Sequence, residues 1–236
     1  MQYKIYYIYF ISLLLACSPT YIIESHDSKL IAVAEKVDSS ILKIISPYQE
    51  GIENQMSEVL SYTVNSLEKG KPQSTIGNFV ADLCLNYTDA DICIMNNGGL
   101  RTTIDKGNIT MGKIFELMPF ENELVVLELD KSDYISLLSY IVKRGGEPFS
   151  GMTIKIDKEN KIISNSWPVN FENGEKISVI TSDYLANGGD NMSFFQNKEQ
   201  KKVGIKLRDA IIDYCKKTDT INVKLDNRII IFENEQ

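Results

Sequence analysis

The stretch Ile92-Cys93-Ile94-Met95-Asn96-Asn97-Gly98-Gly99-Leu100-Arg101 decides how the rest of the chain is interpreted. Its short apolar first half is typical of a buried strand. Asn-Gly and Gly-Gly follow, and both pairs favour a tight turn because they tolerate positive φ. Backbone N–H groups exposed in such a turn, with an arginine just beyond, suit an anion or a phosphorylated ligand. On this stretch alone, a plain hairpin turn with an incidental arginine is the favoured alternative.

A second glycine stretch has the same layout and reads Ser182-Asp183-Tyr184-Leu185-Ala186-Asn187-Gly188-Gly189-Asp190. It follows a strand predicted over residues 177–181. Between the two stretches, Pro119-Phe120-Glu121-Asn122 ends a short helix and leads into a strand predicted over residues 124–129. One Asn-Gly-Gly turn is a weak signal. Two such turns, one with an arginine and one with an acid, together with Phe120, favour a ligand site over a plain hairpin.

Helices and strands are interspersed without a regular βαβ period. Helical periodicity is present in residues 37–56, 76–87, 132–143 and 207–214. Strand-like patterns are present in residues 59–64, 153–157, 177–181 and 229–232. Pro47 should kink or split the first helix, and Ser132 is predicted to cap the third. This order predicts an α+β fold, with mixed β-sheets and helices packed on them.

Composition excludes several classes of function. The net charge is −7 and no basic cluster is present, so no nucleic-acid partner is expected. The chain contains one histidine, His26, which precedes the predicted folded body. Dinuclear and zinc hydrolase sites need several imidazoles, and a Ser-His-Asp site needs one within the fold. We therefore predict that this chain holds no metal or other cofactor of its own.

The N-terminal 16 residues are interpreted as a lipoprotein signal peptide. Lys4 precedes an apolar run over residues 5–16, which is too short to span a bilayer and suits a signal-peptide core. Leu14-Leu15-Ala16-Cys17 resembles a bacterial lipobox, in which Cys17 becomes the lipidated first residue. A short anchor helix or an unlipidated signal is the alternative. The expected product is exported and membrane-tethered on the periplasmic or cell-surface side, with residues 17–36 as the tether.

Three further cysteines, Cys84, Cys93 and Cys215, lie in apolar or amphipathic stretches. An odd number does not make a disulfide framework, and their spacing gives no support for a metal site. We therefore predict that all three are buried thiols that act as small hydrophobic side chains.

The glycine stretches and the Pro-Phe step resemble, in order and spacing, the C-terminal substrate-binding domain of the 5′-nucleotidase family. The helical segment Ile76-Gly77-Asn78-Phe79-Val80-Ala81-Asp82 is similar to the family's first conserved helix. The resemblance places this domain at residues 58–236, after a helical segment over residues 37–57. Family members usually also carry an N-terminal metallophosphoesterase domain with two metals, which is not present in these 236 residues.

The resemblance implies a role for each matching residue. It places Asn96 and Arg101 at the phosphate, Phe120 and Tyr184 on the two faces of the base, Asn122 at the base edge, Asp190 at the ribose hydroxyls, and Gly151 in the base pocket. The chemistry fits, because arginine offers a planar fork to phosphate oxygens. Stacking on an aromatic ring is worth roughly 1–3 kcal/mol per base and tolerates different bases. Core packing for the two aromatic residues, and turn capping for the acid, are the alternatives.

One segment departs from the family pattern. Many members carry arginine just before the first helix, whereas this chain reads Lys69-Gly70-Lys71-Pro72-Gln73-Ser74. Lys69 or Lys71 could supply charge there, but without the bidentate geometry of arginine. Asn78 and Asp82, within the first helix, are expected to hold the fold together rather than to contact ligand.

These observations lead to one principal hypothesis about function. The chain would be the nucleotide- or nucleoside-binding half of a 5′-nucleotidase-type phosphohydrolase. It would be inactive alone and would act with a separate metallophosphoesterase chain that holds the divalent metals. The alternatives are a non-catalytic surface lipoprotein that binds nucleotides or nucleosides, and a structural domain that has lost its ligand.

Overall fold

A computed structural model of the protein describes residues 38–166 and 171–232. The chain divides into two compact units, residues 1–44 and residues 45–236. The described part of the first unit forms the beginning of a helix, and the second unit contains the described sheets. Among the described residues, no helix has both the length and the apolar character needed to cross a bilayer. The predicted signal peptide, Cys17 and His26 lie outside the described residues.

The helices and strands follow the irregular order that the sequence predicts. The helices are α1 (Ser39–Met56), α2 (Thr75–Leu85), α3 (Met111–Leu117), α4 (Lys131–Lys143), α5 (Asp183–Ala186) and α6 (Leu207–Lys217). The strands are β1 (Val59–Thr63), β2 (Ile92–Ile94), β3 (Gly107–Thr110), β4 (Glu123–Leu129), β5 (Phe149–Ser150), β6 (Ile154–Ile156), β7 (Ile162–Asn165), β8 (Ile177–Ser182), β9 (Lys201–Lys206), β10 (Thr220–Ile221) and β11 (Ile229–Ile231). Short 3-10 turns cover Phe171–Asn173, Gly189–Asn191 and Ser193–Phe195.

A five-stranded sheet with the order β5-β2-β8-β4-β9 organises the molecule. Strands β2 and β8 are parallel neighbours, whereas β4 runs antiparallel to β8. The carboxyl ends of β2 and β8 therefore lie at the same edge as the amino end of β4, where Leu124 pairs with Ser182. Two three-stranded sheets, β10-β1-β3 and β11-β6-β7, complete the mixed architecture and confirm the predicted α+β class.

The three central strands of this sheet, β2, β8 and β4, are buried on both faces, which explains why they are mostly apolar. Alternate residues point to opposite sides: Cys93 lies in one hydrophobic cluster, whereas Ile92 and Ile94 lie in the other. Helices α2 and α6 cover the first face, and α4 covers the second. Fully burying a side chain of this kind contributes roughly 1.5–3 kcal/mol. The sheet edge that carries the glycine turns is therefore a rigid support.

The structure decides one of the two outcomes predicted for Pro47 in helix α1. Asp38 caps the first turn of this helix, because its Oδ1 accepts the Ser40 N–H at 2.8 Å. Pro47 lies inside an uninterrupted helical segment, so the helix is not split. Large apolar side chains are exposed along α1, among them Ile45, Tyr48 and Ile52.

The caps of two other helices show where local sequence signals succeed and fail. Ser74, which directly precedes α2, caps it, because its hydroxyl accepts the Gly77 N–H at 3.0 Å. The prediction that Ser132 caps α4 is wrong: Asp130 is the cap and forms a capping box with Asp133. The Asp130 carboxylate accepts the N–H groups of Ser132 and Asp133, so the helix begins two residues earlier than a Ser132 cap would place it.

The prediction of buried thiols is confirmed for Cys84, Cys93 and Cys215, which are free and buried. Burial raises the pKa of the Cys215 thiol to about 12. A thiol in this state is a poor nucleophile at neutral pH.

Candidate functional site

Three sequence motifs meet at the edge of the central sheet and enclose a cleft of about 370 Å³. The two glycine turns follow β2 and β8, and the Phe120 loop precedes β4, so the strand directions bring them together. A cleft beyond the carboxyl ends of parallel strands is a common place for ligands. The cleft is lined by Asn96, Gly98, Gly99, Arg101, Met118, Phe120, Asn122, Ser182, Tyr184, Asp190 and Leu207. The predicted residues 96, 101, 120, 122, 184 and 190 are all among them.

The first glycine turn presents an amide and a guanidinium to this cleft. Asn96 Nδ2 donates a 2.6 Å hydrogen bond to Asp190 Oδ2, which joins the two turns directly. Arg101 is exposed; its Nη1 donates to the Gly98 carbonyl at 3.3 Å, and its guanidinium carbon lies 5.9 Å from the centre of the Phe120 ring. The guanidinium therefore lies beside an aromatic face with donors available for an anion.

Glycine is needed in the first turn for a reason that the sequence did not indicate. Neither Gly98 nor Gly99 is among the residues with positive φ. A Cβ at Gly99 would lie 2.8 Å from Asn96 Oδ1, closer than real Cβ atoms approach an oxygen. Gly99 thus makes room for the Asn96 side chain, which folds back over the turn.

The second glycine turn holds its carboxylate through short polar contacts. Tyr184 OH donates to Asp190 Oδ1 at 3.0 Å, and the Asp190 N–H donates to the same hydroxyl oxygen at 3.2 Å. Because Asn96 bonds the other oxygen, each carboxylate oxygen of Asp190 already accepts one hydrogen bond. Each retains a lone pair for a ligand hydroxyl. The sequence predicted the acid and the ring, but not the bond between them.

The Phe120 loop forms the opposite wall. The Phe120 ring is 41% exposed and the Tyr184 ring 46% exposed, and both also line a wider outer cleft of about 620 Å³. Glu121 forms ion pairs with Lys206 and with the nearly buried Arg208. Hydrogen bonds from these two residues, chiefly from Lys206, lower the pKa of Glu121 to about 2. The loop is therefore tied to the sheet edge by charged groups while its aromatic ring stays exposed.

The structure separates the two lysines that precede α2. Lys69 Nζ donates to the Leu100 carbonyl at 2.5 Å, so its charge lies next to Arg101. Lys71 Nζ instead bonds the Arg144 carbonyl. Lys69, rather than Lys71, therefore contacts the stretch that carries Arg101, although it does not itself line the cleft.

The predicted pocket residue Gly151 is not one of the residues that line the cleft. Its φ is +85°, and a Cβ there would lie 2.2 Å from the Asp91 carbonyl oxygen. Gly151 therefore allows β5 to pack against the start of β2, and its contacts give a structural reason for the glycine. Asn78 and Asp82 lie outside the cleft as expected, because Arg228 Nη2 binds Asp82 at 2.6 Å and Asn78 Nδ2 binds Asp226 at 3.3 Å.

Sequence reasoning missed the charged pair Arg144 and Glu147, which contacts both turns. Glu147 Oε2 accepts the Asn97 N–H at 2.7 Å, and Arg144 Nη2 lies 3.9 Å from Asp190 Oδ2. The signal available was the glycine pair at residues 145–146, flanked by opposite charges. By itself such a pair indicates only the end of a helix.

The chemistry of the donor set does not fit a resident metal centre. Within residues 38–166 and 171–232, no group of three His, Cys, Asp or Glu side chains is arranged to hold a metal ion. The acids near the cleft, Asp190 and Glu147, are each engaged by protein donors.

The fold is an α+β domain with a cleft at the carboxyl ends of two parallel strands. The family model for "5′-nucleotidase, C-terminal domain" matches residues 54–197. The chain belongs to this family, as the sequence predicted.

Known relatives agree with this assignment. The chain is 26% identical over 233 residues to an apyrase from Tabanus yao, covering 82% of this chain and 41% of the apyrase. It is 23% identical over 181 residues to a 5′-nucleotidase from Vibrio cholerae, covering 71% of this chain and 32% of that enzyme. The fold is similar to that of a 5′-nucleotidase precursor from Thermus thermophilus, with a TM-score of 0.70, 23% identity, and coverage of 82% of this chain and 43% of that one. The chain thus spans less than half the length of each.

Proposed function

We propose that this chain is the nucleotide- or nucleoside-binding half of a 5′-nucleotidase-type phosphohydrolase that acts in nucleotide catabolism with a separate metallophosphoesterase chain. The observation that carries the proposal is the convergence of two exposed aromatic rings, an exposed arginine and a held carboxylate on one cleft. Each group matches one part of a nucleotide, and the family to which the chain belongs is named for nucleotide hydrolysis.

The base and ribose would bind between Phe120, Tyr184 and Asp190. Both rings are roughly half exposed, which leaves a face of each available for stacking. Asn122 lines the same cleft and can hydrogen-bond a base edge. The free lone pairs of Asp190 can accept hydrogen bonds from ribose hydroxyls, and its existing bonds to Asn96 and Tyr184 fix its orientation in advance.

The phosphate would bind at the first turn. Arg101 is exposed and its guanidinium is held by a long, 3.3 Å bond to a carbonyl, so its donors can turn to an anion. Lys69 adds a second positive charge at Leu100, and the Asn96 amide lies between phosphate and ribose positions. Lysine acts as a point charge rather than a fork, so we expect phosphate to add less affinity than two arginines would.

Hydrolysis would require the second chain. The described residues offer no metal-binding cluster. Divalent metals would therefore belong to the partner phosphoesterase, and this chain would present the phosphate to it. Lipid on Cys17 would hold the protein at the membrane surface, exported to the periplasmic or cell-surface side.

Calorimetry with the purified chain tests the binding half of the proposal. We expect adenosine and adenosine monophosphate to bind, and Phe120→Ala to weaken both by roughly tenfold or more, through lost stacking. Phe232→Ala is the matched control, since Phe232 is similarly exposed and does not line the cleft. Arg101→Ala should weaken only the monophosphate. If the wild type binds neither adenosine nor adenosine monophosphate, the proposal is wrong.

Reconstitution tests the catalytic half. An exported, histidine-rich phosphoesterase encoded beside this chain is the partner to assay, alone and mixed with this chain. We expect the mixture to release phosphate from nucleoside monophosphates faster than the partner alone, and Arg101→Ala to remove the gain. Hydrolysis by this chain alone with a divalent metal would show that the two-chain proposal is wrong.

A second candidate is a surface lipoprotein that binds nucleosides without taking part in hydrolysis. The observation that favours it is the difference between the two ends of the proposed site. Asp190, at the nucleoside end, is held by several hydrogen bonds. At the phosphate end, this chain has Lys69 before α2, where many family members have arginine. Equal affinities for adenosine and its monophosphate, with no stimulation of any phosphoesterase, would favour this candidate.

A further inference from the structure

The carboxyl end of α4 lies against the second glycine turn. Tyr140 OH donates to the Asp190 carbonyl at 3.0 Å. Arg144, four residues later and so on the same helix face, places Nη2 3.9 Å from Asp190 Oδ2 and packs over the Tyr140 ring at 5.8 Å. The backbone and the side chain of Asp190 are thus both contacted from α4.

The residues just after α4 contact the first turn. Glu147 Oε2 accepts the Asn97 N–H at 2.7 Å, and its Oε1 accepts Arg144 Nε at 2.9 Å. The Glu147 side chain has no solvent exposure, and a carboxylate buried this fully must be paired. Arg144 is that partner, and it also faces Asp190, so one guanidinium connects Glu147, which binds the first turn, with Asp190 of the second turn.

The backbone of this segment is fixed as well. Gly146 has a φ of +106°, and a Cβ there would lie 1.9 Å from the Pro72 carbonyl oxygen. In this conformation the Gly146 carbonyl accepts Asn97 Nδ2 at 3.0 Å, and the Pro148 carbonyl accepts the Met95 N–H at 2.8 Å. The segment after α4 therefore packs along the first turn as a second support beside the sheet edge.

We propose that Arg144 is a positioning residue that fixes the separation of the two glycine turns. It contacts Glu147, which binds the first turn, and Asp190, which belongs to the second. The proposal rests on the proposed function for its ligand. A nucleoside monophosphate would span both turns, from ribose at Asp190 to phosphate at Arg101, so its affinity depends on their separation. A nucleoside depends mainly on the second turn and should be affected less.

The test compares Arg144→Gln with two matched variants, Arg144→Lys and Lys143→Gln. Lys143 is the neighbouring exposed cation, so its variant removes the same charge without removing these contacts. Calorimetry should show Arg144→Gln binding adenosine monophosphate roughly three- to tenfold more weakly, in the range of coupled neighbouring sites. Adenosine should change less than twofold, Arg144→Lys should recover part of the loss, and Lys143→Gln should bind like the wild type.

Amide hydrogen exchange without ligand provides a readout that does not depend on the proposed function. Arg144→Gln should accelerate exchange at both Asn97 and Asp190, one amide on each turn, while amides in β4 keep their rates. Faster exchange at one turn only, or at neither, would overturn the proposal, whatever the wild type binds. A uniform acceleration would indicate a general loss of stability and would also overturn it. Failure of the wild type to bind either ligand would instead count against the proposed function.

Discussion

The two Asn-Gly-Gly turns have the same sequence, but they need their glycines for different structural reasons. In the first, Gly99 leaves space for the Asn96 side chain to fold back, without a positive φ. In the second, Gly188 has a φ of +89°, and a Cβ at Gly189 would lie 2.5 Å from the Tyr184 ring. In the first turn, glycine leaves space for the Asn96 side chain. In the second, glycine permits the positive φ and the close packing of the Tyr184 ring.

The turns also differ in how their charged groups are held. Arg101 is exposed and held by a long bond to a carbonyl, whereas Asp190 is bonded at both oxygens, at its N–H and at its carbonyl. A fixed carboxylate is preorganised and loses little entropy on binding, whereas an exposed arginine must become ordered. The comparison indicates a cleft that is rigid at Asp190, the proposed nucleoside end, and adaptable at Arg101, the proposed phosphate end.

The largest expected effect comes from Gly189→Ala. The new Cβ would meet the Tyr184 carbonyl oxygen at 2.6 Å as well as the ring, so rotating the ring cannot relieve the clash. We expect a loss of about 3 kcal/mol in the free energy of unfolding, at the upper end for overpacking, measured by urea denaturation.

Gly98→Ala is the matched control for that change. A Cβ at Gly98 would lie 3.6 Å from Asn96 Nδ2 and 3.8 Å from Asp190 Oδ2, which are ordinary contact distances. Its free energy of unfolding should stay within about 0.5 kcal/mol of the wild type. If Gly98→Ala and Gly189→Ala destabilise the protein equally, the close contact at Gly189 is not what requires a glycine in the second turn.

Gly99→Ala should have a smaller effect on stability and a clear effect on binding. The clash at 2.8 Å is with the movable Asn96 Oδ1, so the side chain can shift, but doing so breaks its bond to Asp190. We expect about 1–2 kcal/mol of destabilisation, close to one charge-assisted hydrogen bond, and weaker nucleoside binding by calorimetry. Unchanged binding would show that Asn96 does not support the carboxylate.

Much of the fold could be predicted because its signals are local. The apolar runs of β2, β4 and β8 and the periodic face of α2 predict their elements, and their strand directions then bring the motifs to one edge. Strand β9 was missed, because only Val203 and Ile205 are apolar and Gly204 stands between them. It lies at the outer edge of the sheet, where lysines block further pairing.

Only the residues of the site that belong to short contiguous sequence motifs could be predicted. Arg101, Phe120 and Asp190 each stand in a short recognisable stretch, and they line the cleft. Arg144 and Glu147 are ordinary charged residues around a helix end, and only the tertiary packing of α4 brings them to the turns. Gly151 is required for backbone packing and does not line the cleft, and in a sequence such a glycine looks the same as one required by a ligand.

Tyr184→Phe separates the ring from its hydroxyl. The ring can still stack, but Asp190 loses the bond to its Oδ1 and its N–H loses an acceptor. We expect about 1 kcal/mol weaker nucleoside binding, which is about a fivefold rise in the dissociation constant measured by calorimetry. Tighter binding by the phenylalanine variant would mean that the hydroxyl restrains the ring in a poor position for stacking.

The smallest expected effect concerns the loop that faces both turns and depends on pH. Lys206 first and Arg208 second lower the pKa of Glu121 to about 2, below the roughly 4.3 expected for glutamate in the unfolded chain. A carboxyl group with a lowered pKa stabilises the fold fully above its unfolded pKa, and this stabilisation is lost as pH falls toward its folded pKa. The urea midpoint of the wild type should therefore exceed that of Glu121→Gln at about pH 6, and the difference should shrink between about pH 5 and 2. Lys206→Met should reduce this difference in urea midpoint, because it removes the main cause of the lowered pKa. If the difference does not vary with pH, the ion pairs of Glu121 do not hold the Phe120 loop against the sheet.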